Sequence, residues 1–139
     1  MKRVIIKIRG TQGLGDEKDV IEFATEGTLR KVDNDFILSY FDGAVIENER
    51  IKTKLIASGQ ESVTLERSGA IKSKLYIENG VRNNCFYSVP EGNLTLGIYG
   101  KEIENTLSEN GGKIKMVYTL DTDLKLISEN SVEISVEGR

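Results

Sequence analysis

The chain contains no histidine, no tryptophan, one cysteine and only four alanines. The missing histidine removes Ser-His-Asp and Cys-His nucleophilic machinery and every histidine-ligated zinc or iron site, because each needs an imidazole that titrates or ligates near neutral pH. A lone cysteine, Cys85, leaves no internal disulfide framework, and without a histidine base it reads as a small buried hydrophobe, not a nucleophile. The opening run MKRVIIKIRG has its apolar stretch broken by Lys7 and Arg9, so it reads as neither signal peptide nor membrane span. Net charge is −3 with acids and bases interspersed, which provides no basic field for nucleic acid. Scarce alanine against twenty-five isoleucines and valines favours strands, since β-branched side chains are stiff in a helix and suit a pleated surface.

What is present is alternation, clearest in the segment Lys113 to Glu137. Even positions from Leu124 read Leu124, Leu126, Ser128, Asn130, Val132, Ile134, Val136; odd positions from Glu129 read Glu129, Ser131, Glu133, Ser135, Glu137. Only a period-2 strand places those sets on opposite faces. A turn at Asp121-Thr122-Asp123 is expected to pair Leu120 with Leu124 and Tyr118 with Leu126. At 139 residues the chain fits one domain, residues 1–139, able to bury roughly two-thirds of its unfolded surface without a staple.

The remaining chain predicts a meander. Val4, Ile6 and Ile8 form a first strand ending near Gly10; Gly10 to Asp19 reads as a loop, its acids unsuited to phosphate and lacking the ligand order for calcium. Strands follow at Val20 to Glu26, Thr28 to Val32 and Phe36 to Phe41, and Asp42 to Arg50 is the one stretch read as a helical turn. From Ile51 three strands alternate regularly, with Thr53 facing Arg67 and with Glu66 between Lys54 and Lys72, so the lysine rows read as a solvated face. Asn79-Gly80 is a strong hairpin signal that admits two registers; the one sending Asn83, Cys85 and Tyr87 inward is preferred because it buries no arginine. A bulge at Gly100 is expected where the apolar parity shifts. A two-residue turn at Asn110-Gly111 would pair Leu107 with Ile114 and Ile103 with Tyr118. Together these predict an all-β fold, an up-and-down antiparallel meander closing into a calycin/lipocalin-like barrel of about 8–10 strands, because closure removes exposed edges.

Barrels of that size are filled by side chains or hold one small ligand. Inward parity includes Thr53, Arg67, Ser73, Asn83, Tyr87, Asn105, Tyr118, Ser128 and Asn130. The candidate ligand contacts are Arg67, Thr53, Tyr87, Tyr118, Ser128 and Asn130. Two readings of Arg67 stand. It clamps a carboxylate or phosphate while the tyrosines stack or hydrogen-bond, or it lies at the rim beside Gly69 and extends to water.

Several runs carry a family likeness: Lys52-Thr53, Val63 through Arg67 to Gly69, Asn79-Gly80-Val81-Arg82, Tyr87 through Pro90 to Ile98, Gly111-Gly112, and Tyr118 with Ser128-Glu129-Asn130. With Gly10-Thr11-Gln12 and Asp19-Val20-Ile21-Glu22, they make the chain resemble the YwiB-like family of uncharacterised bacterial proteins over nearly its whole length. The resemblance implies a calycin- or lipocalin-type barrel and supplies no catalytic residue; the Gly-x-Trp signature of lipocalins is absent. The expected function is a cytoplasmic barrel, monomeric or homodimeric, that binds a small, partly apolar or anionic molecule. It would have no catalytic residue, metal, cofactor, nucleic-acid partner or membrane. The alternative is an interaction or structural module with a filled barrel, presenting Tyr76, Tyr99 or the strand Phe36 to Phe41 to a partner.

Overall fold

The computed structural model describes residues 2–46, 49–69, 72–89, 92–122 and 125–139, with backbone alone at 42–46, 49, 87, 89 and 94. Ten strands are formed: β1 (Lys2–Leu14), β2 (Glu17–Val32), β3 (Asp35–Ile46), β4 (Glu49–Ser58), β5 (Ser62–Ser68), β6 (Lys72–Glu78), β7 (Arg82–Val89), β8 (Gly92–Asn105), β9 (Gly111–Thr122) and β10 (Lys125–Gly138). Each pairs antiparallel with its chain neighbours, and β1 with β10 closes the barrel. Closure is incomplete along the wall: β3 pairs with β2 only from Gly27 to Val32, so Glu17 to Glu26 pair with β1 alone. Among the described residues no helix is long and apolar enough to cross a membrane.

Alternation builds one core. Val4, Ile6 and Ile8 of β1 turn inward beside Ile134 and Val136 of β10, while Lys7 and Glu137 stay outside. Leu38, Leu55, Leu65 and Leu75 stand in one register across β3 to β6, forming an aliphatic band around half the wall. Burying each such side chain contributes about 1.5–3 kcal/mol. The expected bulge is present, with the register of β8 against β9 shifting between Gly100 and Glu102.

Several turns sit elsewhere than expected. Gly10 to Asp19 is no loop: β1 and β2 continue past it, and Leu14 pairs with Glu17 around a two-residue turn. The two strands expected from Val20 to Val32 are one, β2, running through Gly27. Within the expected helical turn, Asp42 to Ile46 belong to β3 and Glu49 begins β4, with 47–48 outside the described residues. Glu66 pairs with Lys54 and Lys74, not Lys72. The turn before β9 is Glu109-Asn110, so Ile103 lies opposite Met116 and Asn105 opposite Ile114. In the closing hairpin Tyr118 faces Asn130 instead of Leu126, and a bulge separates Leu126 from Ser128; Leu124, the expected partner of Leu120, lies outside the described residues.

At Asn79-Gly80 the chain combines features of both registers. Val81 lies opposite Glu78 around a two-residue turn in which Gly80 has φ 79°, a conformation glycine adopts without steric cost. Farther on, Tyr87 lies opposite Ser73, so β7 carries one more residue than β6 between those pairs. That extra residue returns Cys85 to the interior, 5% exposed, and leaves Arg82 outside.

Candidate ligand cavity at the open end of the barrel

Two polar rows meet at the end of the barrel where β5 finishes and β6 begins. On one wall Tyr40 pairs with Thr53, Thr53 with Arg67, Arg67 with Ser73, and Ser73 with Tyr87. On the other, Asp19 pairs with Gln12, Gln12 with Asn130, and Asn130 with Tyr118. Period-2 geometry turns Tyr40, Thr53, Arg67 and Ser73 inward, one step above the leucine band, while Gln12 and Asp19 lie exposed at the mouth. Between the rows lies a cavity of about 350 Å³, within the range of small-molecule sites. Leu65, Leu75, Met116 and Val132 contribute apolar lining, and Thr53, Arg67, Ser73, Tyr118 and Asn130 the polar part.

The opposite end is tied shut. Gln60 Nε2 donates to the Asn105 carbonyl at 2.6 Å, the Asn105 N–H donates to Gln60 Oε1 at 2.9 Å, and Asn105 Nδ2 donates to the Gly59 carbonyl at 3.0 Å. These bonds join the β4–β5 turn to the end of β8.

Of the residues expected to contact a ligand, Arg67, Thr53, Tyr118 and Asn130 are brought together on the cavity. Ser128 stands behind them: it is 3% exposed and its Oγ accepts a hydrogen bond from Asn130 Nδ2 at 3.1 Å, which holds the amide toward the lumen. The Tyr87 side chain lies outside the described residues. Asn83 is engaged elsewhere, donating to Glu78 Oε1 at 3.3 Å, and Asn105 belongs to the closed end. Arg67 is half-buried, combining the cavity and rim positions expected of it.

Tyr40, Gln12 and Asp19 line the cavity without having been anticipated. Tyr40 shares parity with Leu38 and was identifiable from that; Gln12 and Asp19 were hidden by reading their segment as loop. Ser73 is the most telling member. It is 8% exposed, and its Oγ has no hydrogen-bond partner among the described residues. A buried hydroxyl without a partner costs about 1–3 kcal/mol, and this one lies in register between Arg67 and Tyr87.

Two groups with displaced pKa lie away from the cavity. Burial pushes the Cys85 thiol up, a hydrogen bond with the Leu96 backbone opposes this, and the charge of Asp121 adds to it. Arg82 is held above its ordinary value by hydrogen bonding to Asp121, with burial opposing and the carboxylate's charge adding. A thiol kept protonated is a poor nucleophile. Among the described residues no cluster of three or more Cys, Asp or Glu is placed to hold a metal ion.

This architecture recurs in known proteins. The chain is 30% identical over 122 residues to the uncharacterised β-barrel protein YwiB of Bacillus subtilis (strain 168), spanning 87% of this chain and 83% of that one. The crystal structure of the ywiB protein from Bacillus subtilis aligns with a TM-score of 0.87 at 25% identity, covering 99% of this chain and 92% of that chain. Residues 6–134 match the family described as Domain of unknown function (DUF1934). The resemblance drawn from the residues is therefore borne out, and the chain belongs to the DUF1934 family of uncharacterised β-barrel proteins.

Proposed function

We propose that this barrel binds a small, partly apolar molecule carrying an anionic or hydrogen-bonding head, with no catalytic step, in the cytoplasm. The apolar part lies against Leu65, Leu75 and Met116, and the head meets Arg67, Thr53, Tyr118 and Asn130. The observation that carries the reading is the cavity itself: Arg67, Thr53, Tyr118 and Asn130 line one space of about 350 Å³ against an aliphatic band, the mixture of apolar wall and a few polar groups that small-molecule sites present. A guanidinium and two hydroxyls converging on one spot suit a carboxylate or phosphate. Lipocalin-type barrels of similar strand number hold one small ligand in their interior, which supports the reading by analogy of architecture alone.

Native mass spectrometry of the protein purified gently from its own host tests this. We expect extra mass that is lost on denaturation, and a protein carrying Arg67→Met that retains at least tenfold less of it. A clean, unliganded mass for the wild-type protein would overturn the proposal.

A further inference from the structure

On the outer wall the described charges are distributed unlike those of the chain as a whole. Asp and Glu number 22 against 19 Lys and Arg overall. Yet a concave surface of about 460 Å³ across β4 to β7 is lined by Lys52, Lys54, Lys72 and Lys74, with Glu66 the one carboxylate among its described residues. The cause is register: Lys52 and Lys54 of β4 and Lys72 and Lys74 of β6 take outward positions at one end of the wall, and β5 between them offers Glu66 opposite Lys54 and Lys74. The Glu66 carboxylate is 3.8 Å from Lys74 Nζ, a loose exposed pair. Whole-chain charge speaks against a nucleic-acid partner; the local sign is the reverse.

Aromatic rings interleave with these lysines. Phe86 pairs with Lys74 and is 54% exposed, and Tyr76, two residues beyond Lys74 on the same face, is 37% exposed. Exposed rings beside ammonium groups provide stacking faces for bases next to charges for phosphates. An acidic peptide would use the lysines and leave the rings unsatisfied. A duplex would hide its bases, and this wall has no helix or protruding ribbon to enter a groove.

We propose that the outer wall of β4 to β7, centred on Phe86 and the four lysines, binds single-stranded nucleic acid without sequence preference. The site shares Arg67 and Ser73 with the cavity lining at the strand ends, but the lysines and Phe86 that define it lie outside the cavity, so it does not require a ligand there.

Fluorescence anisotropy with a labelled oligothymidine of about 12 nucleotides tests it. We expect saturable binding at low salt that weakens roughly fifty-fold between about 50 and 200 mM if all four lysines meet phosphates. Phe86→Ala should weaken it about tenfold through lost stacking, and the double variant Lys72→Glu, Lys74→Glu should weaken it at least as much. Both sites are exposed, so an unchanged thermal melt is expected and confirms intact folding. Gly10→Phe, which alters only the cavity, should leave oligonucleotide binding unchanged. Absence of saturable binding by the wild-type protein would overturn the proposal. So would equal affinity for a duplex, or a wild-type-like Phe86→Ala combined with displacement of the oligonucleotide by polyglutamate as effectively as by unlabelled oligothymidine, which would make this an acidic-peptide surface.

Discussion

Arg82 reaches across Gly97 to grip Asp121 at two points, Nε to Oδ2 at 3.1 Å and Nη2 to Oδ1 at 2.5 Å. Gly97 lies on β8 between the strands that carry the pair, and a Cβ there would collide with the Arg82 guanidinium and with Asp121 Oδ1. The ion pair thus spans three strands, and a glycine makes the passage.

Gly97→Ala should therefore displace Arg82 and destabilise the fold by about 1–3 kcal/mol, the usual cost of overpacking. In an Arg82→Met background the same change should cost less, because the flexible tip that blocked the methyl has gone. Urea denaturation of the four proteins of this cycle measures the coupling; strictly additive values would show that Gly97 does not serve the pair.

Gly10 faces the cavity, and a Cβ built there meets nothing within 4 Å. Gly10→Phe should fill the mouth, leave the melting curve close to wild type, and reduce any retained small molecule about tenfold or more, read as bound mass in native spectra. Undiminished retention would place the ligand elsewhere.

Leu55 is fully buried in the leucine band, opposite Leu38 and Leu65. Leu55→Ala should cost about 2–5 kcal/mol in urea denaturation, combining lost transfer energy with the cavity left behind. A loss below 1 kcal/mol would mean that the band collapses around the gap.

Cys85 makes stability depend on alkaline pH. Its folded pKa is raised, so above about pH 8.5, where an ordinary thiol ionises, the unfolded chain sheds a proton that the native protein keeps. Stability then falls as pH rises from there toward the elevated folded value. Urea melts at neutral and alkaline pH should show the wild-type protein losing more stability than Cys85→Ala, and aromatic disulfide reagents should label native Cys85 slowly. Equal losses in the two proteins would remove the thiol as the cause.

Which side chains face inward was readable from the sequence more reliably than which strands' residues meet. A strand repeats every two residues, so a register that slips by two or four exchanges partners without exchanging faces. Tyr118 was matched to Leu126 and meets Asn130; Ile103 was matched to Tyr118 and meets Met116. Tyr118, Asn130, Ile103 and Met116 kept their parity, whereas the bulge before Ser128 turned Leu126 outward; retained parity is why Arg67, Thr53, Tyr118 and Asn130 were found. Glu66 changed lysine partners and stayed on the outer face.

What parity cannot supply is the position of turns whose residues carry weak signals. Gly10 to Asp19 has three glycines and three acids, loop composition by any propensity, yet β1 and β2 pair through it, with β10 pairing to β1 as far as Gly13 and holding the extended backbone in place. Gln12 and Asp19 were lost to the cavity for that reason. The burial of Ser73 Oγ without a partner among the described residues was not legible at all, since satisfaction of a hydroxyl depends on atoms on other strands.

The β1–β10 seam sets an order of events during folding. Ile6 meets Val136 at the two extremes of the sequence, so loop-closure entropy must be overcome for nearly the whole chain before that contact forms. Hairpins between successive strands form from local contacts, whereas β1 and β9 each keep an unpaired edge until β10 is in place. A nascent or truncated chain without β10 is then an open curved sheet with two sticky margins, and self-association would be the first sign of its incompleteness.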